Sequence, residues 1–259
     1  MTILQGLGLG ALQGLTEFLP VSSSGHLVLA RELLGVGDEP AVEFAVLVHA
    51  GSLLAIVVYF WRDIVSLLTR RRRLVPWLVV GSLPAVGVYV AFREVIEGGL
   101  FESPTAVGVA LLVTGTVLWL SERRAADARG LEAVTWLDAV AVGVAQAVAI
   151  VPGISRSGMT IGGGLARGIE RRAAVVFAFL LGAVAIAGAT GLKARRLVAM
   201  GADGGWGPMA ASFGASLAVS LAALAVLTAL VRRKCLFGFA IYCYAVGGAV
   251  LLAKLTGLW

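Results

Sequence analysis

Gly10–His26, GALQGLTEFLPVSSSGH, and Gly143–Met159, GVAQAVAIVPGISRSGM, decide how this chain folds, because the second stretch repeats the first. Gln13 matches Gln146 and Pro20 matches Pro152. Ser22-Ser23-Ser24-Gly25 matches Ser155-Arg156-Ser157-Gly158, with one residue inserted. Chance supplies a shared glycine or proline readily, but not a Gln, a Pro and a Ser-x-Ser-Gly in the same order. Each stretch is apolar on both sides and broken by a polar Pro/Ser/Gly segment that an undisturbed helix cannot contain.

Around these stretches the chain is strongly apolar. Of 259 residues, 59% are hydrophobic and only 14% charged, against about 25% charged in an average soluble protein. Such a surface in water would expose large apolar patches, so most of it is expected to face lipid. Six runs are long enough for a crossing of about 20 residues: roughly 42–60, 74–92, 104–120, 173–191, 209–231 and 236–257. Regions 2–35 and 138–170 contain the broken stretches. Non-helical backbone at membrane depth is tolerated only when packed in protein or lining a wet cavity. Each region is therefore expected to dip in and return as a re-entrant helical hairpin.

The expected fold is an all-α integral membrane protein, one membrane domain over 1–259, with repeat one at about 1–130 and repeat two at about 131–259. Three crossings per half is odd, so the second half enters the membrane upside down: an inverted-topology repeat whose site lies near the midplane. Fourteen of the 21 Lys and Arg (Arg62, Arg70–Arg73, Arg123, Arg124, Arg129, Arg167, Arg171, Arg172, Arg232, Arg233 and Lys234) then fall on one side, expected to be cytoplasmic. Lys193, Arg195 and Arg196 are the exception. The net charge of +6 is clustered between spans, which argues for membrane orientation and against a nucleic-acid face. The N-terminal stretch lacks a basic leader and reads as part of the mature fold. Cys235 and Cys243 have no metal-ligating neighbours in sequence and read as small buried residues.

The chemistry-bearing residues cluster in the broken stretches. An ionisable group in an apolar segment is costly and marks a site, which singles out Glu17 and His26. Gln13 and Glu17 are four apart on one helical face and offer oxygen ligands to a divalent cation. Ser22, Ser23 and Ser24 before Gly25 suit a phosphate cradle at a helix start. Simple capping explains one of those serines well and three poorly. His26 can exchange a proton near neutral pH. Arg156, flanked by Ser155 and Ser157, suits two phosphate oxygens. Gln13, Ser22, Ser24, Gly25, Ser155, Ser157, Gly158 and Thr160 are expected to bind substrate; Glu17, Ser23, His26 and Arg156 are expected to be catalytic. For Glu43 and His49, at the start of the first crossing, packing and chemistry stay open. Gly162-Gly163-Gly164 reads as a close helix approach. No Walker, HExxH or GxSxG sequence is present.

QGLTEFLPVSSSGHL and PGISRSGMT closely resemble the two signature motifs of the undecaprenyl diphosphate phosphatase family, the bacitracin-resistance proteins. The resemblance implies removal of one phosphate from a C55 polyprenyl diphosphate, recycling the lipid carrier of cell-envelope synthesis. It further implies a multi-pass protein of the cell membrane, dependence on Mg2+ or Ca2+, and a site open to the extracytoplasmic side. Carried over by motif, Glu17 is the acid, Ser23 a nucleophile or phosphate ligand, His26 the acid/base and Arg156 the phosphate-binding arginine. The family's motif has Glu or Gln at position 13, and the Gln13 found here weakens any two-carboxylate scheme. The competing expectation is a transporter or flippase of polyprenyl phosphate lipids. Whether the chain forms a homodimer is open.

Overall fold

The computed structural model describes residues 2–34, 41–97, 103–125, 128–203, 206–234 and 236–257. Within them the chain is helical: α1 (Ile3–Phe18), α2 (Ser23–Leu34), α3 (Ala41–Tyr59), α4 (Trp61–Leu68), α5 (Leu74–Ala91), α6 (Arg93–Glu97), α7 (Pro104–Arg124), α8 (Trp136–Val148), α9 (Arg156–Ala166), α10 (Arg171–Asp203), α11 (Trp206–Arg232) and α12 (Leu236–Leu255). Among the described residues, α5, α7, α10, α11 and α12 are long and apolar enough to cross a membrane, and α3 with α4 forms a sixth, bent candidate. The protein is a multi-pass membrane protein.

Two of the expected crossings continue as helix beyond the apolar run. The run 42–60 is not followed by a loop: the chain turns by 71° into α4. That helix carries Arg62, Asp63 and an exposed Trp61 under the Arg62 guanidinium, groups that favour a membrane–water boundary. The run 173–191 continues as a 33-residue helix, α10. Its later turns are rich in good helix formers, which extend it beyond the apolar segment. The side chains of Glu43, Lys193, Arg195 and Arg196, and all of Cys235 and Trp259, lie outside the described residues.

The broken stretches form hairpins. α8 and α9 have 13 and 11 residues, so each spans under about 20 Å, less than the roughly 30 Å hydrocarbon core. Arg167, after α9, donates to Asp138 in the first turn of α8 at 2.8 Å, so the chain returns to the level at which it entered. Asp138 is fully buried and also receives two bonds from Arg129, at 2.9 and 3.0 Å. Thr135 and Asp138 complete a capping box. Arg71–Asp63, Arg71–Glu132 and Arg171–Glu122 pairs lie at this same end, where the Leu236 amide also meets Glu122. Most of the basic clusters are thereby gathered at one end of the bundle.

The first hairpin enters from the other end. Gly6, Gly10 and Gly14 of α1 lie in order against Pro208/Ser212, Ser212 and Ser216/Ser220 of α11, so α1 runs in the same direction as α11, whose far end is basic. With glycine at these three positions, the backbones approach closely, as small residues permit between membrane helices. Ser216 donates to the Val48 carbonyl at 2.6 Å, and Ser52 bonds both Ser216 and Ser220, which ties α3 to the same seam. In the other half, α8 packs on α5 through Gly143 and Gly81. Gly162 similarly lies against Ser121 and Gly164 against Ala174, the close helix approach expected of that triplet. Gly10→Val should lower stability by about 1–3 kcal/mol through overpacking. Gly8→Val, with open space beside it, should change it little; thermal unfolding in detergent compares the two.

Candidate active site at the hairpin tips

The two tips meet. A Cβ on Gly25 would lie 2.9 Å from the Gly153 Cα, and Ser157 Oγ donates to the Leu19 carbonyl at 3.2 Å. Gly153 takes φ +94 and is walled by Ala110 and Val107, a position only glycine fills easily. Thr114 Oγ1 donates to the Gly153 carbonyl and accepts from the Ser155 amide, both at 3.0 Å. It thereby clamps the second tip to α7.

Each tip opens a helix. Ser22 takes the left-handed conformation at φ 69, uncommon for a residue with a side chain, and its Oγ accepts from the Gly25 amide at 3.4 Å. Ser155 caps α9, accepting from the Gly158 amide at 3.1 Å. Ser22 and Ser155 are thus capping serines. The remaining hydroxyls are placed differently. Ser23 Oγ donates to Glu17 Oε2 at 2.5 Å. Ser24 is exposed, 3.4 Å from Ser22 Oγ, and Ser157 lies 3.2 Å from Ser155 Oγ. Thr160 donates back to the carbonyls of Arg156 and Ser157 in its own helix, so it contributes to helix geometry and not to the Glu17 cluster.

Glu17 is the hub. It is buried, and its Oε1 pairs with the Arg156 guanidinium from the opposite tip. Its Oε2 accepts from Ser23 and from Gln13 Nε2, the latter at 2.8 Å. His49 Nε2 stands 3.7 Å from the same oxygen and receives the Gln13 amide at 3.3 Å. Arg156 reaches the Gly182 carbonyl at 3.4 Å, and Gly182 leaves open the space beside the guanidinium. Four elements, α1, α2, α3 and α9, therefore converge on one carboxylate. His49, on α3, is the member that sequence reasoning left undecided. Its signal was an imidazole inside an apolar run.

His26 faces elsewhere. Its Nδ1 lies 2.8 Å from the Ser22 carbonyl and its Nε2 2.8 Å from the Tyr242 hydroxyl on α12, with the two rings stacked. It shares helix α2 with Ser23, one turn away, but is bonded to neither Ser23 nor Glu17 in this arrangement. Buried Cys243 lies 3.6 Å from the Pro20 carbonyl, which seats α12 against the first tip.

For a metal, the described residues hold no group of three or more His, Cys, Asp or Glu. Gln13 Oε1, however, is a buried acceptor without a partner beside Glu17. One carboxylate and one orphaned amide oxygen suit a hard cation that takes its other ligands from a bound phosphate and water.

The fold and the site together define a polytopic all-α membrane protein with a buried Glu17–Arg156–Ser23 cluster between two hairpin tips. A family profile described as "Bacitracin resistance protein BacA" matches residues 6–249. The undecaprenyl-diphosphatase of Carboxydothermus hydrogenoformans is 38% identical over 261 residues, covering 99% of each chain. That of Pelobacter propionicus is 39% identical over 273 residues, covering 100% of this chain and 99% of the relative. That of Desulforudis audaxviator is 43% identical over 197 residues, covering 73% and 75%. This chain belongs to the bacitracin resistance protein BacA family.

Thr114→Val should cost about 1–3 kcal/mol, since it strands the buried Gly153 carbonyl and Ser155 amide. Thermal unfolding in detergent measures the loss. Thr116→Val, which removes an exposed hydroxyl from the same helix, is the control and should unfold near the wild-type temperature.

Proposed function

We propose that this protein hydrolyses undecaprenyl diphosphate to the monophosphate and inorganic phosphate, returning the lipid carrier to envelope synthesis. The observation that carries the reading is the continuous chain Arg156–Glu17–Ser23, which joins the two hairpin tips at one buried point. Family membership and the names of the relatives point the same way.

Before substrate arrives, Arg156 neutralises Glu17. A terminal phosphate carries more charge and can take two guanidinium donors at once, so it competes for Arg156. The starts of α2 and α9 lie at the two tips, and a helix start favours an anion. As Arg156 turns to phosphate, Glu17 loses its counter-charge and becomes a better base. Ser23 Oγ, or a water in its place, then passes its proton to Glu17 and attacks the terminal phosphorus. The bond from that phosphorus to the bridging oxygen breaks, and the prenyl monophosphate leaves. If Ser23 attacks, a phosphoserine forms and water later cleaves it. His26 supports proton transfer from the next turn of α2. Glu17 and Gln13 would hold Mg2+ or Ca2+ together with the diphosphate, and the cation would supply charge neutralisation on the phosphate oxygens.

The two broken stretches are read as copies of one ancestral unit, the halves meeting near residue 130. The contacts support this: α1 on α11 corresponds to α8 on α5, α3 on α11 to α10 on α5, while α7–α12 and α3–α10 map onto themselves. With α1 starting opposite the basic end and α8 starting at it, the repeat is inverted. The basic end is assigned to the cytoplasm by its Lys and Arg excess, the membrane is the cell membrane, and the site opens to the extracytoplasmic side.

Purified protein given undecaprenyl diphosphate and Mg2+ should release inorganic phosphate. Arg156→Ala should lower kcat by at least about 100-fold, the scale of losing a charge-stabilising group, and chelator should stop the reaction. Labelled lipid crossing liposomes without phosphate release would contradict the hydrolase reading in favour of transport. Labelled phosphoserine trapped in wild type and missing in Ser23→Ala would identify serine attack; near-full activity of Ser23→Ala would identify water attack.

A further inference from the structure

Tyr242 belongs to neither repeated stretch, yet its hydroxyl is 2.8 Å from His26 Nε2. The bond has a defined direction. The Ser22 oxygen facing His26 Nδ1 is a carbonyl and can only accept, so Nδ1 carries the ring proton. In the neutral ring Nε2 then bears the lone pair, and the phenol must donate to it. The left-handed turn at Ser22, φ 69, is what brings its carbonyl under His26. The ring is also stacked on Tyr242 at 5.7 Å between centroids, with 13° between planes. Both ends and one face of the imidazole are thereby fixed, an arrangement stronger than packing requires for a half-buried side chain. Tyr242 is 42% exposed and its bond to His26 lies in an exposed part of the bundle, so the hydroxyl can be displaced. Cys243 against the Pro20 carbonyl holds this part of α12 beside the tip.

We propose that Tyr242 is a positioning residue of the site. Its hydroxyl holds His26 Nε2 as the acceptor nitrogen and aims it, and it yields that nitrogen to the proton of a water that enters with the diphosphate, one turn from Ser23. Residues three apart on a helix have Cβ atoms about 5–6 Å apart, so Ser23 and His26 can face neighbouring parts of one diphosphate. Tyr242 acts through His26 and makes no bond to Glu17 or Arg156 among the described contacts. The catalytic half of this inference rests on the phosphatase reading above; the bonding half does not.

The test uses Tyr242→Phe, which keeps the ring and its stacking and removes only the hydroxyl. The chain has two histidines, so 15N-histidine NMR in detergent on a His49→Gln background reports His26 alone. The expected spectrum has Nδ1 protonated with and without Tyr242→Phe, while the Nε2 resonance moves when the phenol is lost. A proton found on Nε2 of the neutral ring, or an Nε2 resonance unmoved by Tyr242→Phe, would overturn the assignment even if the protein hydrolyses nothing. In phosphate release by the otherwise wild-type protein, Tyr242→Phe should lower kcat at least about tenfold, within the range of lost acid–base help, with KM within about threefold. The His26→Ala/Tyr242→Phe double variant should be no slower than His26→Ala, since both act through one group. Tyr244→Phe, whose hydroxyl instead donates to Thr116, is the control and should keep wild-type kcat. Unchanged kcat in Tyr242→Phe, or losses that multiply in the double variant, would reject the positioning role.

Discussion

A carboxylate buried among apolar helices needs a counter-charge and hydrogen-bond donors, because desolvation of an ion costs several kcal/mol even after the surroundings relax. Glu17 obtains both, but only by drawing on four separate elements. Arg156 comes from α9, Ser23 from α2, Gln13 from its own helix α1, and His49 approaches from α3. The carboxylate thus couples the two hairpins, and the rest of the bundle can be seen as the means of bringing them together.

Close approach is what that coupling demands of the scaffold. Two short hairpins reach each other only if their arms run backbone to backbone with the crossing helices. The glycines of α1 against the serines of α11 provide this in one half, and Gly143 against Gly81 in the other. At the junction itself, Gly25 faces Gly153, and Thr114 fixes the second tip. The Asp138 cluster with Arg129 and Arg167 closes the base of the second hairpin, at the basic end. The ion pairs of Glu17 and of Asp138 thereby sit at two levels, the tips and the basic end.

The apolar runs made the crossings legible before any coordinates, and the repeated Gln, Pro and Ser-x-Ser-Gly did the same for the hairpins and the meeting of Arg156 with the first tip. Glu17 and Arg156 stood out because charge is rare in such segments. Other features were less accessible. His49 could be seen as anomalous, but nothing local says that α3 passes beside Gln13. Tyr242 lies 216 positions from His26, and no pattern around it announces the contact. The turn from α3 into α4 depends on where an amphipathic segment settles at the membrane boundary, which hydropathy of the preceding run does not encode. The four-residue spacing of Gly6, Gly10 and Gly14, mirrored by Ser212, Ser216 and Ser220, is present in the sequence, but neither stripe names its partner, and only the structure shows the seam.

The central claim is that the opposed tips are held by one buried ion pair, with the Ser23 hydroxyl bonded to the same carboxylate. A double-mutant cycle on unfolding in detergent measures that coupling directly. Arg156→Gln alone leaves Glu17 buried and uncompensated, a loss of about 3–5 kcal/mol for a broken buried pair, whereas adding Glu17→Gln removes the stranded charge. The double variant should therefore be more stable than Arg156→Gln. Losses that simply add, leaving the double variant less stable than either single one, would contradict the pairing.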